Sequence, residues 1–183
     1  MIDLMTQFQV CPPGVSAQDP KPGDFLLCHR TGFASSCIRW GERLKYRDGS
    51  RWSHAALIET PTTIIEALTT GVVRNALSEY DDTLYVLVRT ELDELDAEQA
   101  VFFAQRSIGV EYGFLTDFGI FLRFVTPGRG LWFGSDGTEI CSGLVAQALT
   151  RGWADFIVNP ASISPAELAE YYQVAANSKA ARL

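Results

Sequence analysis

Short apolar runs separated by turn residues dominate the first half of the chain. The first run, DFLLCH from Asp24, predicts a buried strand. Three closely spaced runs, and a fourth that is almost continuously apolar, predict further strands: SHAALIET, TTIIEAL, GVVRNAL and TLYVLVRT. The short spacing favours an antiparallel meander, and the last run is typical of a strand covered on both faces.

The second half of the chain has the periodicity of helices. Asp96 followed by Gln99 predicts a capped helix that ends at Gly109. The stretch GTEICSGLVAQAL predicts an amphipathic helix with Gly137 or Thr138 as its cap.

Three further segments complete the prediction. Ser35-Ser36 can cap a short helix that runs to Leu44, and a second apolar segment covers residues 114–125. A last short helix follows Ser164, with Pro165 at its first position and Glu167 at its third. The order of strand, helix, meander and helices predicts an α+β domain.

One domain accounts for most of the chain. A Pro-rich stretch without periodicity, CPPGVSAQDPKPG, predicts an extended N-terminal arm over residues 1–22. We expect the domain to cover residues 23–173 and a short tail to cover residues 174–183.

Composition and charge exclude several classes of partner. The 183-residue chain is 47% hydrophobic and 20% charged, with a formal charge of -7. This charge and the lack of a Lys/Arg run argue against a nucleic-acid partner and an anionic membrane surface. The sequence opens without a basic region and apolar stretch, and no apolar run reaches the roughly 18 residues of a membrane span. We expect no integral membrane association and a cytoplasmic location, with delivery to the cell wall by another route left open.

The cysteines have no paired spacing, and we expect free thiols at Cys11, Cys28, Cys37 and Cys141. Cys28-His29 followed by Cys37 suggests a metal site, but no CxxC or HxxxH pair supports it. We therefore expect neither a metal nor a cofactor.

Cys141 lies in the first turn of its predicted helix. Unpaired backbone N–H groups and the positive end of the helix dipole lower the pKa of a thiol there, and they can also bind an oxyanion. The alternative is a cysteine that only packs in the core, which is the commoner role of this residue type.

A base and an orienting residue for this thiol can be sought on the predicted strands. His54, in the apolar run WSHAALI, is the candidate base, the alternatives being a core histidine at this position or His29 as the base. Glu66 lies twelve residues away, an even separation that puts it on the face of His54 in a hairpin turning near residues 60 and 61. Glu59, at an odd separation, is expected on the opposite face and solvated at the turn.

An ordered set of motifs resembles those of circularly permuted papain-like proteins related to NlpC-type peptidases, in particular the YiiX-like branch, and more distantly lecithin retinol acyltransferase. The motifs are Gly23-Asp24, SHAALI, IIEALTTGVV, GVEYG and ICSGLVAQAL. The resemblance covers roughly residues 22–150. It implies a permuted papain-like fold, with an antiparallel sheet packed against the nucleophile helix. It also implies Cys141 as nucleophile, His54 as base, Glu66 as orienting residue and Tyr112 near the active site.

Three more residues complete the candidate site. Ser142 follows the nucleophile, and the loop Thr126–Gly137, which carries Trp132 and Phe133, leads directly into its helix. We expect these residues to contact the oxyanion or the substrate, with the aromatic loop as an adaptable apolar wall of the cleft.

Residues and resemblance together predict a thiol hydrolase, an amidase, peptidase or esterase that forms an acyl-enzyme. Its expected substrate is a small-molecule, peptide or lipid acyl compound, cell-wall peptide included. The alternatives are an acyltransferase with the same site and a binding or structural module without turnover.

Overall fold

The computed structural model describes residues 8–28, 52–68, 70–110, 138–152, 154–157 and 159–174. The predicted segments at 35–44 and 114–125 lie outside these residues. So do five side chains discussed above: His29, Cys37, Tyr112, Trp132 and Phe133.

Six strands form one antiparallel sheet in the described part of the chain. They are β1 (Phe8–Cys11), β2 (Phe25–Cys28), β3 (His54–Thr60), β4 (Thr63–Leu68), β5 (Gly71–Ala76) and β6 (Tyr85–Val88). Their order across the sheet is β1-β6-β2-β3-β4-β5. Three α-helices accompany the sheet: α1 (Glu94–Arg106), α2 (Thr138–Arg151) and α3 (Pro165–Tyr171). The described residues therefore have the mixed α+β structure that the sequence predicts.

The predicted meander is confirmed for β3 to β5, but the prediction that β6 extends it is wrong. β6 does not pair with β5; it lies on the far side of β2, between β2 and β1. The burial of the two strands explains this position. All four residues of β6 are buried, which is consistent with an interior position between β1 and β2, whereas the second half of β5 is partly exposed in the manner of an edge.

The opposite edge of the sheet comes from the predicted arm. Phe8–Cys11 pairs with β6 as strand β1. Part of the predicted arm, Phe8–Cys11, is thus extended and forms an edge strand of the sheet, a pairing that the sequence does not predict.

Each face of the sheet buries its own apolar cluster. Phe25, Leu27, Ala55 and Leu57 face α1, α2 and α3. The residues that alternate with them lie on the other face, where the 3₁₀ turn Leu77–Tyr80 covers them: Leu26, Cys28, Ala56 and Ile58. This alternation follows from the two-residue period of a strand.

The hairpin of β3 and β4 turns at Pro61 and Thr62, as predicted. Leu57 pairs with Ile65 and Ile58 with Ile64, and the register then shifts by one residue before Thr60 pairs with Thr63. Pairing between the two strands ends at Leu57 and Ile65 in the described residues, so β3 continues beyond that point to His54 with β2 as its partner.

The helix ends follow local capping signals. Ser164 caps α3 and forms a capping box with Glu167, in agreement with the predicted start. The predicted start of α1 is wrong: Asp93, not Asp96, is the cap, and its side chain accepts a hydrogen bond from the backbone N–H of Asp96. None of the helices within the described ranges combines the length and the apolar character needed to cross a membrane.

Candidate active site

Cys141 is the fourth residue of α2, which begins at Thr138. The helix packs against β3 and β4, and the Cys141 side chain is 2% exposed. The backbone N–H groups of Ala55 and Ser142 donate to its sulfur, and the side chain of His54 is hydrogen-bonded to it. The thiol is therefore as buried as a core cysteine and also has polar partners.

Ala55 is free to donate to the sulfur because of where the hairpin pairing stops. It lies beyond the last pair of the β3–β4 ladder, Leu57 with Ile65. The start of β3 thus brings two partners to Cys141: the His54 imidazole and the N–H group of the next residue.

His54 connects the thiol to a carboxylate. Its Nε2 atom lies 2.5 Å from Oε2 of Glu66, a hydrogen bond in which the ring nitrogen donates. With Nε2 occupied, Nδ1 is the ring nitrogen that serves Cys141. The imidazole is held by a different group at each nitrogen, as a general base needs to be.

Glu66 is fully buried and accepts three hydrogen bonds. In addition to His54, the hydroxyl of Tyr80 donates to Oε2 at 2.6 Å, and Nδ2 of Asn75 donates to Oε1 at 2.8 Å. The carboxylate is satisfied at both oxygens, so its burial is compatible with a negative charge.

These contacts shift the pKa values of Cys141, His54 and Glu66, each toward the charged form of the group. Burial disfavours the charged form of each group, but the contacts outweigh it. The charge and hydrogen bonds of Cys141 and Glu66 raise the pKa of His54 to about 9. Hydrogen bonds from His54, Tyr80 and Asn75 lower the pKa of Glu66 to about 2. His54 and two backbone N–H groups lower the pKa of Cys141. Each of these shifts favours the charged form of its group, so the contacts favour a thiolate, an imidazolium and a carboxylate in sequence.

Ser142, which is predicted to contact the oxyanion or the substrate, has its hydroxyl engaged elsewhere in the fold. Its hydroxyl donates to the carbonyl oxygen of Ile163 at 2.6 Å and is fully buried. The part of Ser142 that faces Cys141 is the backbone N–H. The hydroxyl instead connects α2 to Ile163, which follows the 3₁₀ turn Pro160–Ser162. Gly143 of α2 packs against the turn itself, so closely that a Cβ atom there would lie 2.9 Å from the oxygen of Ala161.

Glu59 is also not solvated, contrary to the prediction. It is 6% exposed, and Arg74 donates to both of its oxygens at 2.6 and 2.5 Å. Gln105 of α1 donates to it at 2.8 Å and Thr63 at 3.1 Å. The hydrogen bonds from Arg74 lower the pKa of this carboxyl. A carboxylate next to a turn is usually exposed to solvent, and the sequence predicts this for Glu59, but in the structure α1 covers it.

Two residues of the site are missed by sequence reasoning, Asn75 and Tyr80. Asn75 is a polar residue in the strand run GVVRNAL, and it pairs with Ile64, two residues from Glu66 on the same face of β4. A polar residue on a neighbouring strand, near a buried carboxylate on the same face, could therefore have indicated Asn75 as a partner of Glu66. Tyr80 ends a 3₁₀ turn between β5 and β6, and no local pattern relates it to Glu66.

The structure thus brings together Cys141, His54 and Glu66 and leaves Tyr112, Trp132 and Phe133 outside the described residues. Within the ranges described, no group of three or more His, Cys, Asp or Glu side chains is arranged to hold a metal ion. Cys28 of the metal alternative is a buried residue of β2 that pairs with His54 across the sheet.

Comparisons of the chain with protein-family models, with curated proteins and with solved structures returned no match. The resemblance of its motifs to NlpC-type proteins therefore remains a prediction. What the site can do chemically rests on the contacts of its own residues.

Proposed function

We propose that this protein is a thiol hydrolase or acyltransferase in which Cys141 is the nucleophile, His54 the general base and acid, and Glu66 the residue that orients the imidazole. One observation carries the proposal: His54 is hydrogen-bonded to the Cys141 sulfur on one side and to Glu66 on the other. This is the arrangement that nucleophilic catalysis by a thiol requires.

In the acylation step, the thiolate of Cys141 attacks the carbonyl carbon of an amide, ester or thioester. A carbon–sulfur bond forms and the carbonyl π electrons move to oxygen. The tetrahedral intermediate then collapses, and the bond to the leaving group breaks while the His54 imidazolium gives that group its proton. The products are an acyl-enzyme and a free amine, alcohol or thiol.

In the second step, an incoming nucleophile attacks the acyl-enzyme. His54, now neutral, accepts its proton, and the carbon–sulfur bond breaks to return the thiolate and the imidazolium. Water as the nucleophile makes the protein a hydrolase, and an amine, alcohol or thiol makes it an acyltransferase. Glu66 stabilises the imidazolium that exists before acylation and again after deacylation.

We further propose that the fold is the permuted papain-like one. Two features support this: the base precedes the nucleophile in the chain, and an antiparallel sheet with the base at the start of a strand packs against the helix of the cysteine. Peptide or lipid acyl bonds are the substrate classes that this assignment favours, with the aromatic loop around Trp132 as a candidate contact.

The proposal is tested by intact-protein mass spectrometry after incubation with p-nitrophenyl acetate, p-nitrophenyl palmitate and a peptide p-nitroanilide. We expect an acyl adduct that maps to the Cys141 peptide, is absent in Cys141→Ala and forms much more slowly in His54→Ala. Cys28→Ala is the matched control, because it removes the buried thiol opposite His54. An adduct of equal yield in Cys141→Ala, or no adduct with any donor, contradicts the proposal.

A further inference from the structure

Tyr80 contacts both members of the pair that orients the imidazole. Its side chain is 2% exposed at the end of the 3₁₀ turn Leu77–Tyr80. The hydroxyl donates to Oε2 of Glu66 at 2.6 Å, the same oxygen that accepts from Nε2 of His54. The phenol and imidazole rings are nearly parallel, with an interplanar angle of 5° and centroids 6.5 Å apart.

We propose that Tyr80 is a positioning residue of this site, which sets how strongly Glu66 holds His54 by sharing the carboxylate oxygen to which the imidazole donates. The proposal rests on the thiol function proposed above. In this scheme Tyr80 acts through its contacts with Glu66 and His54.

Sharing one oxygen makes the two donors compete. The hydrogen atom of the phenol carries a partial positive charge and reduces the negative potential that Oε2 presents to the imidazolium. Without the hydroxyl, His54 is the only one of the two donors left on Oε2, and the imidazolium becomes more favourable. Loss of the hydroxyl should therefore raise the pKa of His54 and, since Glu66 loses a donor, raise the pKa of the carboxyl as well.

The other titratable groups around His54 stay in place when only this hydroxyl is removed. Cys141 approaches from α2, Glu66 from β4, and Cys28 lies directly across from His54 on β2. Tyr85 of β6 packs edge-on against the Tyr80 ring, with centroids 6.3 Å apart. A shift in the titration of His54 therefore reports on the hydroxyl itself.

The test is the Tyr80→Phe variant, which keeps the ring and its contacts with His54 and Tyr85. Tyr85→Phe is the matched control, because it also removes a phenolic hydroxyl from this face of the sheet. The Tyr85 hydroxyl accepts a hydrogen bond from the N–H of Ala17, whereas that of Tyr80 donates to Glu66. Both variants are first checked for cooperative unfolding in urea.

The readout is NMR titration of the full chain labelled at histidine. Only two histidines are present, and a His29→Gln variant assigns their signals. We expect the pKa of His54 to rise by about half a unit or more in Tyr80→Phe and to stay at the wild-type value in Tyr85→Phe. The onset of Cys141 alkylation should move to lower pH in the same variant, because a more stable imidazolium also stabilises the thiolate beside it.

An unchanged or lowered pKa of His54 in Tyr80→Phe overturns this inference, and so does an equal shift in Tyr85→Phe. If the wild type itself has neither a raised His54 pKa nor a selectively reactive Cys141, the proposed function fails together with the inference. A reactive wild type with an unshifted Tyr80→Phe profile removes the role of Tyr80 alone.

Discussion

Nε2 of His54 lies 2.5 Å from Oε2 of Glu66 although the two residues are diagonal neighbours in the hairpin and not direct partners. Continuing the register of Leu57 with Ile65 places Ala56 across from Glu66. Diagonal positions on one face have Cα atoms about 7–8 Å apart, a gap that long side chains can span. The Glu66 side chain is long enough to reach the His54 imidazole across this gap, so the hydrogen bond depends on the length of the glutamate side chain.

Cys141 should alkylate faster than Cys11, Cys28 or Cys37, and its rate should fall less than that of an ordinary thiol between pH 8.5 and 7. An ordinary thiol, with a pKa of about 8.5, loses about sixteenfold in thiolate over this range. The pKa of Cys141, in contrast, is lowered by His54 and two backbone N–H groups. Cys11 and Cys28 are at least as buried as Cys141, so exposure does not favour Cys141 over them, and burial raises the pKa of Cys11. Peptide mapping after limiting iodoacetamide measures the selectivity. Faster labelling of Cys28, the thiol across from His54, would reassign the nucleophile.

Glu66→Gln should slow Cys141 alkylation at pH 7 by about tenfold or more, because loss of the carboxylate charge lowers the pKa of His54. Glu66→Asp keeps the charge but is one methylene shorter, and we expect a comparable loss because the diagonal gap is no longer spanned. Glu66→Ala should be more severe than Glu66→Gln, since it takes the carboxylate acceptor from His54 and Tyr80, which are buried, and from the half-buried Asn75.

Glu59→Ala tests whether the Glu59 carboxylate, unlike that of Glu66, has only a structural role. It should lower the free energy of unfolding by about 2 kcal/mol, a value moderated by the half-exposed side chain of Arg74, which water can solvate. Cys141 alkylation in the folded variant should match the wild type. Urea unfolding and the alkylation rate are measured on the same samples, and an inactive, fully stable Glu59→Ala protein would refute our map of the site.

Acid should erase the stability that Glu66 supplies. Its pKa is depressed from an ordinary 4.5 to about 2, so the charged carboxylate stabilises the fold fully above pH 4.5, and this contribution is lost as pH falls through 2. The difference in unfolding free energy between wild type and Glu66→Gln should shrink by about 1 to 2 kcal/mol from pH 5 to pH 3. His54 stays protonated throughout this range, since its pKa is raised, and therefore does not contribute to the pH dependence of the unfolding free energy. A difference that is constant with pH would mean that Glu66 is not ionised in the folded protein.

Ser142→Ala should destabilise the protein by about 1 to 2 kcal/mol, because it leaves the buried carbonyl of Ile163 without its hydroxyl donor. The alkylation rate of Cys141 should not change, since the backbone N–H that faces the sulfur is retained. Ser162→Ala is the matched control, a half-buried serine whose bond to Asn159 is longer, at 3.2 Å, and it should cost less. Loss of reactivity without loss of stability would show that the Ser142 hydroxyl itself acts on Cys141.

The sequence alone determined the features that depend on neighbours within a few residues. The two-residue period and the Pro61-Thr62 turn place His54 and Glu66 on one face of a hairpin, and this face survives the register shift near the turn. The capping residues of α3 and the start of α2 near Thr138 are equally local. Cys141 therefore falls in the first turn of its helix, as its sequence context predicts.

Only the tertiary structure decided where segments distant in sequence lie in the fold, and which hydrogen-bond partners they supply to the polar side chains. β6 lies on the far side of β2, where both of its faces are covered by apolar clusters, and the chain before it places Tyr80 against Glu66. The burial of Glu59 under α1 and the bond from the Ser142 hydroxyl to Ile163 arise in the same way. A local pattern specifies the face on which a polar side chain lies, but its partner belongs to an element tens of residues away, whose position is set by packing of the whole core.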